Sequence, residues 1–413
     1  MRILFLTHYF PPEVNAPASR TYEHCKRWVE EGHKVVVLTC VPNHPKGKLY
    51  PGYKNKFFQK EKIDGIEVYR IWTFLAANKG FLKRTLNYLI YAKLAILVSP
   101  FLPKADVVIS TSPQFFCGLS GFFVAKIKRA TWVLEIRDLW PESIVAVGAI
   151  KNKRIIKFLE WLEKFAYKNA DGIISVTDSF KRHMIAQGIN PDKIAVVKNG
   201  VDLSLFSPIP KKNEFSKPLG ISDKFVVSYF GTLGMAHGLK VVLEAAKKLE
   251  NNSDIVFLIV GDGAEREHLL RLKDEMKVKN VLMLPQVEKS KMPLLWGASD
   301  VSMVLLKKDD LFKTVIPSKI FEAMAMKKPI ILGVEGESQE ILRKSEAGIC
   351  IEPENADELA KAVLKFYADP SLVKSMGENG RVFVEKNFSR DTLANDYLRF
   401  IETFVRSRNA TLI

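Results

Sequence analysis

A lysine and a glutamate three residues apart are the most informative side chains in this sequence. Lys319 and Glu322 lie in the run Pro-Ser-Lys-Ile-Phe-Glu-Ala-Met-Ala, which begins at Pro317 and has the composition of a short helix. Side chains at this spacing point the same way on a helix, and the N–H groups of a first helical turn favour an anion. A cation beside a carboxylate suits a nucleotide diphosphate, because the carboxylate can accept the ribose hydroxyls. An exposed Lys–Glu ion pair would show the same spacing, so spacing alone leaves both interpretations open.

Three further loops follow predicted strands in the same half of the chain. The first runs from Gly231 through Gly238, and its glycines would allow the backbone to approach a phosphate closely. The others are Val260-Gly261-Asp262-Gly263 and Leu284-Pro285-Gln286. Loops of this kind also merely connect strand to helix, so each is weak support by itself. Together they predict a ligand site at the carboxyl ends of parallel strands.

Charged residues also follow predicted strands in the first half of the chain. Glu13 and Arg20 lie in and after a proline-rich loop that leads from the first strand into a helix. Glu135, Arg137 and Asp138 stand at the end of a strongly apolar strand, where charge is costly unless it has a partner or a role. A stiffened turn and a salt-bridged structural cluster are the structural alternatives.

These residues must be positioned by alternating strands and helices, which run from one end of the chain to the other. Such alternation predicts parallel sheets covered by helices. The pattern breaks at 202–224, where prolines and lysines give the composition of a linker, and then resumes. We therefore expect two doubly wound α/β domains that face a cleft. Strands are predicted at 2–7, 34–40, 106–110, 131–136, 172–177 and 194–197, and then at 225–230, 255–260, 280–284, 301–306 and 329–332.

The net charge of +16 in 413 residues is concentrated in the first half of the chain. Residues 1–210 hold 31 Lys and Arg against 17 Asp and Glu, whereas the remainder holds 31 against 29. A basic half predicts an anionic partner: lipid headgroups, a diphosphate-linked acceptor or nucleic acid. A basic surface that serves only solubility is the alternative. Four widely spaced cysteines and no secretory leader predict reduced thiols and a cytosolic location.

One apolar segment, 81–102, is rich in leucine and aromatic residues and begins with basic residues. Lys93 in its middle and prolines near its end argue against a membrane span. It is predicted either to lie in a membrane interface or to be a buried helix of the first domain.

The Lys319–Glu322 run, followed by a Lys-Pro-hydrophobic stretch, resembles the donor site of retaining family-4 glycosyltransferases, which have the GT-B fold. Glu322 matches the second glutamate of that family's Glu-x7-Glu pattern, while the first falls at Thr314. The loop positions where many members carry an arginine and a lysine are Thr232 and His237 here. The Pro-Ser-Lys version and the Tyr-Phe-Pro-Pro-Glu run before Arg20 resemble a bacterial branch that builds surface polysaccharides, the fucosamine-transferase-like enzymes.

The resemblance implies domains at 1–203 (acceptor) and 204–386 (donor), with a helix at 387–413 that packs back on the first domain. It implies Asp138, near the family's functional histidine, and Lys319 as catalytic residues. Glu13, Arg20 and Arg137 would lie on the acceptor or phosphate side. The donor-binding set implied is Ser318, Lys319, Glu322, Gly231, Thr232, Gly234, His237, Gly261, Pro285, Gln286, Glu337 and Ser338.

The activity that the resemblance implies is retaining sugar transfer from a UDP-sugar, with an N-acetylated amino or deoxyamino sugar as the group moved. The acceptor would be a polyprenyl-diphosphate-linked sugar at the cytoplasmic face of an anionic membrane, where the protein would be peripheral. No cofactor, metal or nucleic acid is expected. Two rivals remain: a nucleotide-sugar epimerase of the same fold, and a nucleic-acid-binding protein suggested by the charge.

Overall fold

The computed structural model describes residues 1–13, 15–44, 46–75, 81–112, 114–146 and 150–411. Within those ranges the side chains of Phe81, Leu82, Arg84, Ala146, Asn409 and Thr411 lie outside the description. The chain divides into two compact units, Met1–Lys198 with Asp391–Ile413, and Asn199–Arg390. Each is built on one sheet covered by helices on both faces.

The N-terminal unit contains an eight-stranded sheet in the order β3-β4-β2-β1-β5-β6-β7-β8. Neighbouring strands are parallel except β3 and β4, which pair antiparallel at one edge. Its strands are β1 (Arg2–Leu6), β2 (Lys34–Cys40), β3 (Phe58–Ile63), β4 (Ile66–Ile71), β5 (Val107–Thr111), β6 (Thr131–Ile136), β7 (Gly172–Ser175) and β8 (Ile194–Val196). Its helices are α1 (Ala16–Glu30), α2 (Phe81–Val98), α3 (Phe115–Lys128), α4 (Glu142–Ala146), α5 (Lys153–Asn169), α6 (Asp178–Ala186) and the C-terminal α14 (Arg390–Thr411).

Alternate side chains of the central strands fill two separate cores in this unit. Leu4 and Leu6 pack with buried residues of α2 and α3, and Ile3 and Phe5 pack with α1 and α14 on the other face. Helix α14 is fixed by a hydrogen bond from Trp28 Nε1 to the Ala394 carbonyl, 3.0 Å long. These four helices therefore cover the two faces of the sheet, as a doubly wound sheet requires.

The C-terminal unit has a six-stranded, wholly parallel sheet in the order β11-β10-β9-β12-β13-β14. The strand order reverses between β9 and β12, and ligands of open α/β sheets bind at such a reversal. Its strands are β9 (Phe225–Phe230), β10 (Ile255–Val260), β11 (Val281–Leu284), β12 (Val301–Leu305), β13 (Ile330–Gly333) and β14 (Gly348–Cys350). Its helices are α7 (Lys240–Lys248), α8 (Arg266–Glu275), α9 (Met292–Ala298), α10 (Lys319–Ala325), α11 (Glu337–Ser345), α12 (Ala356–Ala368) and α13 (Pro370–Asn387).

The two doubly wound α/β domains that the sequence predicts are confirmed. One prediction about a single segment is wrong, and one pair of strands was not predicted. The 202–224 stretch is not a free linker, because Phe206 and Ile221 are buried in the core of the C-terminal unit. The β3–β4 hairpin was not predicted, since the side chains of β3 alternate between exposed and half-buried and carry no apolar run.

The apolar segment 81–102 forms α2 and a short 3-10 turn, Ser99–Phe101. One side of the helix is buried, with Tyr91 and Ala95 in the core against α3, so the prediction of a buried helix holds for that side. The opposite side exposes Leu86 and Leu97. The side chains of Leu82, one of the apolar residues of this segment, and of Arg84, part of its predicted basic start, lie outside the described residues. Among the residues the structure describes, no helix has both the length and the apolarity needed to cross a bilayer.

Candidate functional site

The Lys319 amine lies at the end of β9 in the C-terminal unit. Its Nζ sits 3.7 Å from the centre of the Tyr229 ring, and a Cβ added to Gly231 would come within 3.3 Å of it. Only glycine, at φ +133°, leaves the amine this room. The sequence predicted Lys319 but not Tyr229, whose aromatic face holds the cation over the loop.

Lys319 Nζ is buried and makes no hydrogen bond with any residue that the structure describes. Burial lowers the pKa of Lys319 to about 7, although Glu322 acts in the opposite direction. A buried ammonium without an acceptor is costly. The amine therefore offers an unfilled binding position for an anion.

Glu322 stands one helical turn beyond Lys319 on α10 and is half-buried. Burial raises the pKa of Glu322, and Lys289 and Lys319 oppose that rise. Lys289 follows β11, and burial lowers its pKa against the effect of Glu322 and Asp202. The structure thus places a second cation, Lys289, near the predicted pair of Lys319 and Glu322. The sequence offered little signal for it, because Lys289 lies in a Glu-Lys-Ser-Lys run that reads as solvated surface.

His237 lies in the same group of side chains, with its ring 5.9 Å from that of Tyr229 in an edge-on arrangement. Burial, and then the charge of Lys319, lowers the pKa of His237 to about 4. The imidazole is therefore neutral at pH 7. Its Nδ1 lies 3.4 Å from the Leu305 carbonyl, which requires the proton on Nδ1 and leaves Nε2 as an acceptor. An acceptor nitrogen suits a hydroxyl group rather than a phosphate.

The predicted glycines let two strand-end loops meet at this place. A Cβ on Gly261 would lie 1.8 Å from the Gly231 carbonyl oxygen, so the loops after β9 and β10 touch backbone to backbone. Tyr229 fixes the first loop by donating its hydroxyl to the Thr232 carbonyl at 2.8 Å. Gly234 begins the following 3-10 turn, Met235–His237.

The remaining predicted donor residues lie on other elements of the same unit. Ser318 directly precedes α10 and makes no side-chain cap. Ser338 is buried and donates its hydroxyl to the Val315 carbonyl at 2.8 Å, while Glu337 is buried at the start of α11. Pro285 and Gln286 are exposed after β11. The donor contacts of these residues stay predictions.

In the N-terminal unit, Asp138 lines a small cavity of about 10 Å³ whose other walls are mainly apolar. Burial raises the pKa of Asp138 to about 6, against a hydrogen bond of 2.9 Å from the Ser143 hydroxyl. A second carboxyl, Glu163 of α5, lines the same cavity, and burial raises its pKa to about 7. Tyr167 donates its hydroxyl to Glu163 at 2.8 Å. The sequence did not single out Glu163, because it sits within an ordinary amphipathic helix.

The predicted acceptor-side charges do not form one group. Arg20 donates to Glu135 (3.0 Å), to the Val197 carbonyl (2.9 Å) and to the Lys198 carbonyl (3.0 Å). Arg137 lies near the same carboxylate, and burial lowers its pKa to about 10; its Nη1 has no hydrogen-bond partner among the described residues. Glu13 is separate from them.

Glu13 holds a loop rather than facing an open site. Its Oε1 accepts the backbone N–H groups of Asn43 and His44, at 2.8 and 2.9 Å. Burial raises the pKa of Glu13 to about 7 despite those bonds. The roles of Glu13, Arg20 and Arg137 toward an acceptor stay predictions.

Two family models match the chain, one in each half. The model described as a glycosyl transferase 4-like domain matches residues 15–200, and the model described as glycosyl transferases group 1 matches residues 211–383. The second range contains the whole group of side chains around Lys319.

Curated relatives and a solved structure agree with this assignment. A putative colanic acid biosynthesis glycosyl transferase, WcaI of Escherichia coli K12, is 22% identical over 97% of this chain and 100% of its own length. A UDP-Gal:α-D-GlcNAc-diphosphoundecaprenol α-1,3-galactosyltransferase of Escherichia coli is 29% identical over 59% of this chain and 63% of its own length. The crystal structure of HepE from Anabaena with UDP-glucose superposes with a TM-score of 0.71 at 16% identity, covering 98% of this chain and 100% of that one. The chain therefore belongs to the group 1 glycosyltransferases and has the GT-B fold.

Proposed function

We propose that the protein is a retaining glycosyltransferase that moves a sugar from a UDP-sugar to a polyprenyl-diphosphate-linked acceptor during bacterial surface-polysaccharide assembly. The main support for donor binding is the buried Lys319 amine, which lies over the Tyr229 ring and has no hydrogen-bond acceptor among the described residues. A donor diphosphate supplies that acceptor. Glu322, three residues on, would take the ribose hydroxyls.

In this proposal the bond between the anomeric carbon and the diphosphate oxygen breaks, and the acceptor hydroxyl oxygen bonds to that carbon on the same face. The acceptor proton passes to the departing diphosphate. Lys319 and Lys289 would stabilise the charge that grows on the leaving group, without a metal ion or a cofactor. Asp138 would stabilise positive charge at the anomeric carbon, because its pKa of about 6 leaves it largely ionised at pH 7.

The choice of UDP and of a lipid-linked acceptor is supported by relatives. The name of one relative specifies UDP-galactose and a diphosphoundecaprenol acceptor, and HepE was crystallised with UDP-glucose. A capsular polysaccharide biosynthesis glycosyltransferase, CapM of Staphylococcus aureus, and the colanic acid relative support the polysaccharide context. That the transferred sugar is an amino or deoxyamino sugar rests on the resemblance of the Pro-Ser-Lys run alone. A peripheral place at the cytoplasmic membrane face follows from the lipid-linked acceptor.

The deciding experiment is a transfer assay with the full-length chain. A panel of UDP-, GDP- and ADP-sugars is incubated with a polyprenyl-diphosphate-linked sugar, and products are identified by mass spectrometry and by the anomeric configuration in NMR. We expect product from UDP-sugars only, with retained configuration and with loss of activity in Glu322→Ala. Conversion of the donor to an epimer without any acceptor would replace this proposal with an epimerase.

A further inference from the structure

Three helices on one face of the N-terminal sheet expose more large apolar side chains than a solvated surface needs. Helix α2 packs on α3, and α3 packs on α5. Leu97 is 65% exposed and Phe101 is 81% exposed at the α2 end, while Phe158 and Trp161 of α5 are 57% and 59% exposed. An exposed apolar surface of this kind marks an interaction site. We call the outer surface of α2, the Ser99–Phe101 turn, α3 and α5 the three-helix face.

Ring contacts make the face continuous from α5 to α3. Phe158 stacks on Trp161 with centroids 6.0 Å apart, and Trp161 stacks on Phe165 at 6.1 Å. Phe165 meets Phe122 of α3 at 5.1 Å, and Phe122 meets Phe123 at 5.2 Å. The segment after α2 is linked to α3, because Lys128 Nζ donates to the carbonyl of Leu102, the residue after Phe101, at 2.5 Å.

The fold does not require these outer residues. Helix α5 already buries Leu159, Glu163 and Ala166 on its inner side. Ile155, Phe158 and Trp161 recur every three residues on the outer side, where a helix on a solvated surface carries polar residues. Helix α5 therefore has apolar side chains on two sides, of which only the inner side is buried against the rest of the unit.

The charges on the three helices favour one class of partner. Helices α2, α3 and α5 together carry ten Lys and Arg residues against two Glu, and one of those two, Glu163, is buried. Lys126 lies over the Phe122 ring at 5.7 Å, so cations and aromatic rings alternate on the face. Phenylalanine, tryptophan and isoleucine surrounded by lysines suit the boundary between headgroups and acyl chains of an anionic bilayer.

We propose that the three-helix face docks on the surface of a bilayer that contains anionic phospholipids, with Phe158 and Trp161 inserted at the headgroup level. The inference deepens the proposed function, since it gives that function's membrane association a defined surface. It extends the predicted membrane contact from the segment 81–102 to α3 and α5. Docking here would hold the N-terminal unit on the membrane that carries a lipid-linked acceptor.

The test is co-sedimentation of the full-length chain with vesicles of phosphatidylcholine alone and of phosphatidylcholine with phosphatidylglycerol. The variant is Phe158→Ser with Trp161→Ser. The matched control is Phe57→Ser, which removes a ring that is 62% exposed but lies on none of the three helices. We expect wild type and control to bind the anionic vesicles, and the double variant to bind at least about tenfold more weakly. Lys153→Glu with Lys157→Glu is expected to weaken binding to the anionic vesicles by a similar factor, against no change for Lys374→Glu on α13.

A second variant tests the same surface on a different helix, in case the loss of Trp161 disturbs the folding of α5. Phe123→Ser with Ile127→Ser alters the α3 part of the face, and an unchanged thermal midpoint with reduced vesicle binding supports the proposal equally. Failure of wild type to bind anionic vesicles overturns it, as does equal loss in Phe57→Ser. A dimer that dissociates on Phe158→Ser with Trp161→Ser, without vesicle binding, would assign the face to a second copy of the chain and would also overturn it.

Failure of the docking proposal and failure of the proposed function can be told apart. Transfer to a short-chain, water-soluble analogue of the acceptor needs no bilayer, so the docking variants are expected to keep it at the wild-type rate. Vesicle binding without any transfer would leave the docking surface intact and remove the proposed function. Transfer to the soluble analogue without vesicle binding would support the proposed function and overturn the docking proposal.

Discussion

Lys319 and Arg20 are both cations near the carboxyl ends of strands, and the sequence predicts a phosphate-binding role for each. The two side chains differ in their hydrogen bonding. Arg20 is bound to Glu135 and to two backbone carbonyls of its own unit. The Lys319 amine has no hydrogen bond to any described residue and has a pKa lowered to about 7 by burial. A cation at a strand end is thus a candidate ligand only when the fold has left its hydrogen-bonding capacity unfilled.

The largest effect expected from this contrast is on stability. Arg20→Met leaves the buried Glu135 carboxylate without its guanidinium, so we expect the free energy of unfolding to fall by about 3–5 kcal/mol. Urea denaturation followed by circular dichroism measures it. Arg399→Met removes an exposed partner of Asp396 and is expected to change stability by less than about 1 kcal/mol. A stable Arg20→Met protein that has lost only acceptor binding would contradict the structural role.

Lys319→Met is expected to act on turnover instead. Removing a cation that stabilises the leaving diphosphate should reduce kcat for the UDP-sugar by about 100- to 1000-fold. The thermal midpoint should change little, because the variant removes a buried amine that makes no hydrogen bond to any described residue, and methionine keeps an apolar side chain beside the Tyr229 ring. Lys327→Met, two residues beyond the end of α10 and paired with exposed Glu378, is the control and should keep wild-type turnover. Unfolding of Lys319→Met with no change in kcat would make Lys319 a structural residue.

The separate roles of Lys319 and Glu322 can be distinguished by comparing the affinities of variants for uridine and for UDP. Glu322→Gln weakens hydrogen bonds to ribose, so it should reduce the affinity for uridine and for UDP alike, by about tenfold or more. Lys319→Met should reduce only the affinity for UDP. Isothermal titration calorimetry with both ligands separates the two effects, and Glu378→Gln provides the control. If Glu322→Gln binds uridine as wild type does, the ribose assignment is wrong.

The smallest expected effect is a pH dependence of UDP binding. A lysine whose pKa is lowered to about 7 is mostly neutral above pH 7, and the bound diphosphate favours its charged form. Binding should therefore take up a proton, and affinity should fall by up to about tenfold per unit as pH rises above 7 toward the ordinary lysine range. The phosphate groups of UDP are already ionised there and contribute little. Titrations at several pH values should show this slope in wild type and a flat profile in Lys319→Met.

The sequence predicted those parts of the fold and site that depend on neighbours along the chain. The alternation of apolar runs with helices gave both sheets, and three-residue spacing gave Lys319 with Glu322. Tyr229 and Lys289 could not be found in that way, because they approach Lys319 and Glu322 only once β9 and β11 are ordered in one sheet. The β3–β4 hairpin was missed for a related reason: its edge strand is stabilised by pairing with β4, not by an apolar pattern of its own.

The exposed aromatic residues of the N-terminal unit could not be predicted as one surface, because they come together only in the folded structure. The continuous apolar sequence at 81–102 predicted a membrane contact at α2, although that helix buries one side. The aromatic residues of α3 and α5 are scattered among lysines in the sequence and form one row only where the two helices pack together. Hydropathy along the chain detects continuous apolar segments, whereas the proposed docking surface is formed by residues of separate helices.

The most direct test of the central claim is the thermal midpoint of the full-length chain with and without UDP. A ligand that binds only the folded state raises the midpoint, and the rise grows with the logarithm of the ratio of ligand concentration to Kd. The account predicts a clear rise for wild type and almost none for Glu322→Ala, with Lys319→Met intermediate for UDP and unaffected in its response to uridine. An equal rise in wild type and Glu322→Ala would show that the nucleotide binds elsewhere, and would contradict the donor site at Lys319 and Glu322.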